Sequence, residues 1–147
     1  MSNWVTLSGD DIRLLDTERT IMAAAAPLQD IDTCILTASN FVRGYVKAGG
    51  NVEEPAPAVP PECVDDVVAI GRYNYLAQDP TGTLLTPIRQ KERDDAYKHL
   101  LDIAAERAAV TQGEIPPTDT TTIKTFGTWG SATRIAMRTE FVPPPTP

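Results

Sequence analysis

Between Ile31 and Val46 the apolar side chains Ile31, Cys34, Ile35, Ala38, Phe41, Val42, Tyr45 and Val46 recur at spacings of three and four. That rhythm lays one continuous stripe along a helix. Gly49, Gly50 and Asn51 follow the last apolar position and are residues able to take the left-handed conformation that closes a helix. Val64, Val67, Val68, Gly71 and Tyr75 repeat the pattern over a shorter span, with Gly71 set where a neighbouring helix can approach closely. Tyr97, Leu100, Leu101, Ala104 and Ala108 predict a further stripe, with Asp94 and Lys98 as oppositely charged neighbours on its wet side and Gly113 as a stop. Upstream, Ser8 with Asp11 three positions on predicts an N-cap before a short helix carrying Ile12, Leu14 and Leu15. A second helix is expected from about Thr17 to Ala26, stopped by Pro27.

The last third of the chain changes period. Thr133, Ile135, Met137, Thr139 and Phe141 alternate with Arg134, Ala136, Arg138 and Glu140, which predicts a strand. Thr120 to Phe126 is also rich in β-formers, and Gly127, Thr128, Trp129, Gly130 and Ser131 could turn the chain between the two extended pieces. Val142, Pro143, Pro144, Pro145, Thr146 and Pro147 form a polyproline-like end. The expected fold is mainly α: a bundle of four to five helices over residues 1–115, then a C-terminal extended or β-hairpin arm over 116–147.

The 13 prolines of the 147 residues mark the helix limits, because a proline inside a helix removes a hydrogen bond and clashes with the preceding turn. They also build a stiff loop through Pro55, Pro57, Val59, Pro60 and Pro61, read either as a spacer or as a projection that meets a partner. The net charge of -7 weighs against a protein that grips phosphates. All of it lies in residues 1–87, which hold 5 basic and 12 acidic side chains, whereas 88–147 hold 8 of each sign. No apolar run approaches the 18 or so residues that span a bilayer, and the start MSNWVTLSGDD has neither a basic nor an apolar leader segment, so a cytoplasmic protein is expected.

Candidate chemistry is sparse. Asp95, His99 and Asp102 share a helix face by their spacing, which suits either a weak metal site or a solvated face. Cys34 and His99 could form a thiol dyad, but Cys34 lies on an apolar stripe where a buried, inert cysteine is expected, and Cys63 is read the same way. The adjacent acids Asp10/Asp11, Glu53/Glu54, Asp65/Asp66 and Asp94/Asp95 diverge by about 100° on a helix and are expected to be solvated. No phosphate-cradling glycine loop occurs. No catalysis, metal or other cofactor is expected. Trp129 on its glycine-flanked turn either caps the helical body or anchors a neighbouring chain.

A sequence of segments carries a likeness. An early short helix is followed by Asp30-Ile31-Asp32 opening a long helix that ends Phe41-Val42-Arg43-Gly44-Tyr45-Val46, then by a proline-bearing loop. Next come Val67-Val68-Ala69-Ile70-Gly71-Arg72-Tyr73-Asn74-Tyr75-Leu76 and Arg93-Asp94-Asp95-Ala96-Tyr97-Lys98-His99-Leu100-Leu101-Asp102-Ile103-Ala104, with Gly113 beyond. Over residues 7–113 this order resembles the head-to-tail adaptor (connector) proteins of tailed bacteriophages. The resemblance implies a virion neck protein that forms a ring, a dodecamer, under the portal, joins capsid to tail, and lets DNA pass without specific binding. It further implies contacts to the portal above and to a stopper or tail-completion protein below. Ile135, Met137, Phe141, Val142, Pro143, Pro144 and Pro145, with Trp129, are then the expected contacts to the portal or a neighbouring subunit. Glu53, Glu54, Asp65 and Asp66 become the acidic candidates for a channel wall that DNA does not stick to. The alternatives are a stopper or tail-completion protein of the same neck, or a small helical cytoplasmic binding module.

Overall fold

Two of the described helices start at a side-chain cap. In a computed structural model that describes residues 3–114, the chain is mainly helical: α1 (Asp16–Ala25), α2 (Ile31–Ala48), α3 (Val64–Leu76) and α4 (Pro87–Ala104), with short 3-10 turns at Gly9–Ile12 and Pro61–Cys63. Asp30 caps α2 by accepting the Thr33 N–H at 2.7 Å, and Gly50 closes the helix with φ +72°. Thr86 caps α4, whose first residue is Pro87, the position where a missing N–H matters least. At the first turn the Ser8 N–H donates to the Asp11 carboxylate at 2.8 Å, as the Ser8/Asp11 spacing predicts. No described helix is long and apolar enough to cross a membrane.

α2, α3 and α4 pack on one another. α2 and α4 run parallel, since Phe41 meets Tyr97 with ring centroids 5.6 Å apart and Gly49 abuts the Ile103 carbonyl farther along. α3 runs opposite to both: its start pairs with the end of α4 through Asp66 and His99, and its end with the start of α4 through Arg72 and Glu92. Gly71 lies against Ile35 and Ala38 of α2, and a Cβ added there would come within 3.1 Å of the Ile35 methyl, so the expected close approach is real. Ile35, Val42, Val46, Val67, Ile70, Leu100 and Ile103 fill the core, joined by Ile12, Val59 and Val110 from the connecting segments. α1 stands apart: its Met22 packs with Leu76 and Leu84 in a separate cluster.

Several expectations change on contact with tertiary structure. In α4 the buried positions are Ala96, Leu100 and Ile103, while Leu101 is exposed, so the stripe is turned from the one the sequence suggests. Neighbours on both flanks select that face: α3 takes one side of Ala96, and Tyr97 and Ala104 border α2 on the other. The helix ends at Ala104, well short of Gly113; Glu106 turns the chain with φ 59°. The Asp94–Lys98 pair does not form: Arg93 takes Asp94 at 2.8 Å, and Lys98 lies 3.6 Å from Asp95. In α2, Phe41 sits at the exposed edge and Ser39 is buried.

The proline loop is anchored at its far end. Val59 pairs with Val5 in an antiparallel bridge, with N–H···O distances of 2.8 and 2.9 Å, and both Val59 and Pro60 are buried. Pro55 and Pro61 remain exposed and Pro57 is half-buried. Arg43 explains the arrangement, because its guanidinium donates to the Glu54 and Ala58 carbonyls and stacks over Trp4 at 5.6 Å. The Trp4 indole in turn donates to the Thr111 carbonyl at 2.9 Å, and the Gly113 N–H to Val52 at 2.8 Å.

Candidate functional site

Antiparallel packing of α3 on α4 leaves a groove of about 420 Å³ lined by Asp65, Asp66, Val68, Ala69, Arg72, Glu92, Asp95 and Ala96. Four carboxylates and one guanidinium make it acidic. Asp66 is buried and bonded to His99 Nδ1 at 2.6 Å. Burial pushes the Asp66 carboxyl above its ordinary range, and adjacent Asp65 adds to this, while the hydrogen bond and charge of His99 oppose it. Two of the lining residues, Arg72 and Glu92, end a charge ladder: Glu18 of α1 is bound by Arg89 at 2.9 Å, Arg89 reaches Glu92 at 3.0 Å, and Glu92 is shared with Arg72 at 3.4 Å. Among the described residues, the buried Arg72 Nε has no hydrogen-bond partner. Such a groove can hold a cationic or hydrogen-bonding segment.

The opposite flank of α4 is different in kind. Asn40, Phe41, Gly44, Tyr45 and Ala48 of α2 and Ala104 of α4 line an open, uncharged groove of about 440 Å³. Phe41, Tyr45 and Tyr97 form its aromatic edge, with the Phe41 and Tyr45 rings 5.1 Å apart. This surface suits apolar protein contact, not a charged ligand.

The acids expected to be solvated divide. Asp10, Asp11 and Asp65 are exposed, but Glu54 and Asp66 are buried, and Glu53 lies within ion-pair distance of Arg43 and Lys47. Asp66 meets His99 33 positions away and Glu54 accepts the Glu114 N–H from 60 positions away, which adjacency in sequence does not show. Of the four acidic candidates for a channel wall, Asp65 alone is exposed. His99 faces Asp66, while Asp95 and Asp102 turn to Lys98 and Arg107. Among the described residues no group of three His, Cys, Asp or Glu is placed to hold a metal ion. Cys34 lies by Gln29 and Gln78, away from any imidazole bond, and burial followed by the Asp30 charge raises its thiol. Burial likewise pushes the Cys63 thiol up to about 12. Trp129, Ile135, Met137, Phe141, Val142, Pro143, Pro144 and Pro145 lie outside the described residues.

No protein family, no curated protein and no solved structure matches this chain.

Proposed function

We propose that the chain is a structural head-to-tail adaptor of a tailed bacteriophage, a ring under the portal that joins capsid to tail and surrounds the DNA channel. The observation that carries this reading is the way the resembling segments assemble. Asp30–Val46, Val67–Leu76 and Arg93–Ala104 lie on α2, α3 and α4, three consecutive helices that pack together in order, with short helical turns ahead of them. In this reading the fold is a bundle of four to five helices whose C-terminal arm reaches the portal, and a stopper or tail-completion protein docks on the other side. Exposed Asp65, at the mouth of the acidic groove, is then the side chain that keeps DNA from adhering to the channel wall.

The test is genetic and visual. Phage particles assembled without the chain accumulate as DNA-filled heads lacking tails, and antibody against the chain decorates the neck of complete particles in electron micrographs. Normal tail attachment in its absence refutes the proposal.

A further inference from the structure

α1 is a ten-residue helix with two buried residues, Glu18 and Met22. A helix that short is marginal in water by itself, so its seat decides whether it forms. The seat is separate from the main core: Met22 rests with Leu76 and Leu84, while the Glu18 carboxylate takes the Arg89 guanidinium at 2.9 Å. The same carboxylate accepts the Leu15 N–H at 2.8 Å, so one side chain fastens both the start of the helix and its flank. The chain on either side is fastened by other means. Ahead of α1, Ile12 lies in the main core and Val5 pairs with Val59; after it, α2 packs on α3 and α4. α1 thus spans two anchored points.

Both ends of that span are strained. Arg13 has φ 52° and ψ 59°, and Ala26 has φ 49° and ψ 67°. This is the left-handed region, which an L side chain enters at a cost of about five- to thirtyfold in an equilibrium constant. Elsewhere among the described residues Gly50 and Gly82 take such positions, and Glu106 past the end of α4 is the other non-glycine there. Ala26 also precedes Pro27, whose ring pushes the residue before it toward extended backbone. Arg13 and Ala26 are both exposed, so their conformation is imposed by what lies between them, the seat of α1.

We propose that α1 is a strap that opens as a unit about Arg13 and Ala26 while α2, α3 and α4 stay packed. Opening relaxes both left-handed residues at once, which offsets part of the loss of the Met22 and Glu18 contacts. It uncovers Leu76 and Leu84 and leaves Arg89 with Glu92 alone, so the open form differs from the closed one in apolar and in charged surface. The strap is a property of the fold and stands or falls apart from the adaptor reading.

Native-state hydrogen exchange on the full chain tests it. The amides of residues 19–25 donate within the α1 ladder. They exchange faster than those of Val42, Val67 and Leu100 by about tenfold or more, and with little dependence on added denaturant, because a local opening exposes little surface. Arg13→Gly and Ala26→Gly each remove strain from the closed form only, and each slows α1 exchange by about fivefold. Ile103→Val, in the main core at the far end of α4, speeds exchange of the core amides by about threefold and leaves α1 unchanged. Ala26→Asn, which also tolerates the left-handed region, replaces Ala26→Gly should the glycine lower the helical signal by circular dichroism. Exchange of α1 at the rate of the core overturns the strap, as do α1 rates that ignore the hinge substitutions or that follow Ile103→Val as the core does.

Discussion

Gly44 and Gly49 are five residues apart at the same helix end, yet their surroundings are opposite. A Cβ at Gly49 would collide with the Ile103 carbonyl oxygen, a backbone atom with nowhere to go, while one at Gly44 would meet nothing within 4 Å among the described residues. Gly44→Ala is therefore expected to stabilise the isolated chain by about 0.5–1 kcal/mol through helix propensity alone. Gly49→Ala should destabilise it by about 1–3 kcal/mol, the usual range for overpacking. Urea midpoints of the two variants check this, and equal shifts of the same sign would contradict the packing described. The same contrast marks the limit of sequence reading at this scale. Gly71 could be read as a close-approach glycine because it stands on an apolar stripe, whereas Gly44 stands off the stripe and its surroundings show only once the helices are placed. Buried charges are similarly invisible: Glu18 meets Arg89 across 71 positions and Asp66 meets His99 across 33, and neither pair leaves a local pattern.

At the scale of elements, α1 depends on few attachments. Met22 seats it against Leu76 and Leu84, Glu18 ties it to Arg89, and the same Glu18 carboxylate accepts the Leu15 N–H at 2.8 Å at the start of the helix. Both oxygens of one side chain thus hold the helix cap and the tertiary contact. Glu18→Ala leaves Arg89 with Glu92 alone and should lower stability by about 3 kcal/mol, the cost of breaking a buried pair. Cleavage within residues 13–30 should appear first under limited proteolysis, and a cleavage pattern unchanged from wild type would show that α1 is held by something else. α2 and α3 were legible because their stripes follow one periodicity and their ends carry Asp30, Gly49 and Pro61. α4 was legible as a helix, but neither its ends, Pro87 and Ala104, nor its rotation could be read. Its residues Tyr97, Leu101 and Ala104 satisfy the same spacing as Ala96, Leu100 and Ile103, and only the neighbours α2 and α3 decide between two equally periodic faces.

For the molecule as a whole, the response to acid follows from which carboxyls the fold holds low. The Thr33 side chain holds Asp30 below its ordinary 3.8, and hydrogen bonding from the Thr81 side chain does so for Asp79. Both bind protons less tightly folded than unfolded, so the stability they add is present above pH 3.8 and is lost as the pH falls through their folded values. Asp66 runs the other way. Its raised carboxyl, faced by His99, Asp65 and Asp95, contributes most below 3.8 and loses that contribution as the pH rises through its folded value. Thermal melts should therefore show the midpoint falling as the pH drops below about 3.8, with Asp79→Ala reducing both the neutral-pH midpoint and the size of the fall. A midpoint as pH-dependent in Asp79→Ala as in wild type would remove Asp79 from this account. The mainly helical character was readable from periodicity, and the acidity from composition. How the acids divide between core and surface depends on contacts that only the folded chain makes. The bridge from Val5 to Val59, with Trp4 on Thr111 and Gly113 on Val52, fastens the first described residues beside the last. A pull applied across the domain from Asn3 to Glu114 is thus carried by this short clasp, and the long helices lie outside the path of the load, unstrained until the clasp gives way.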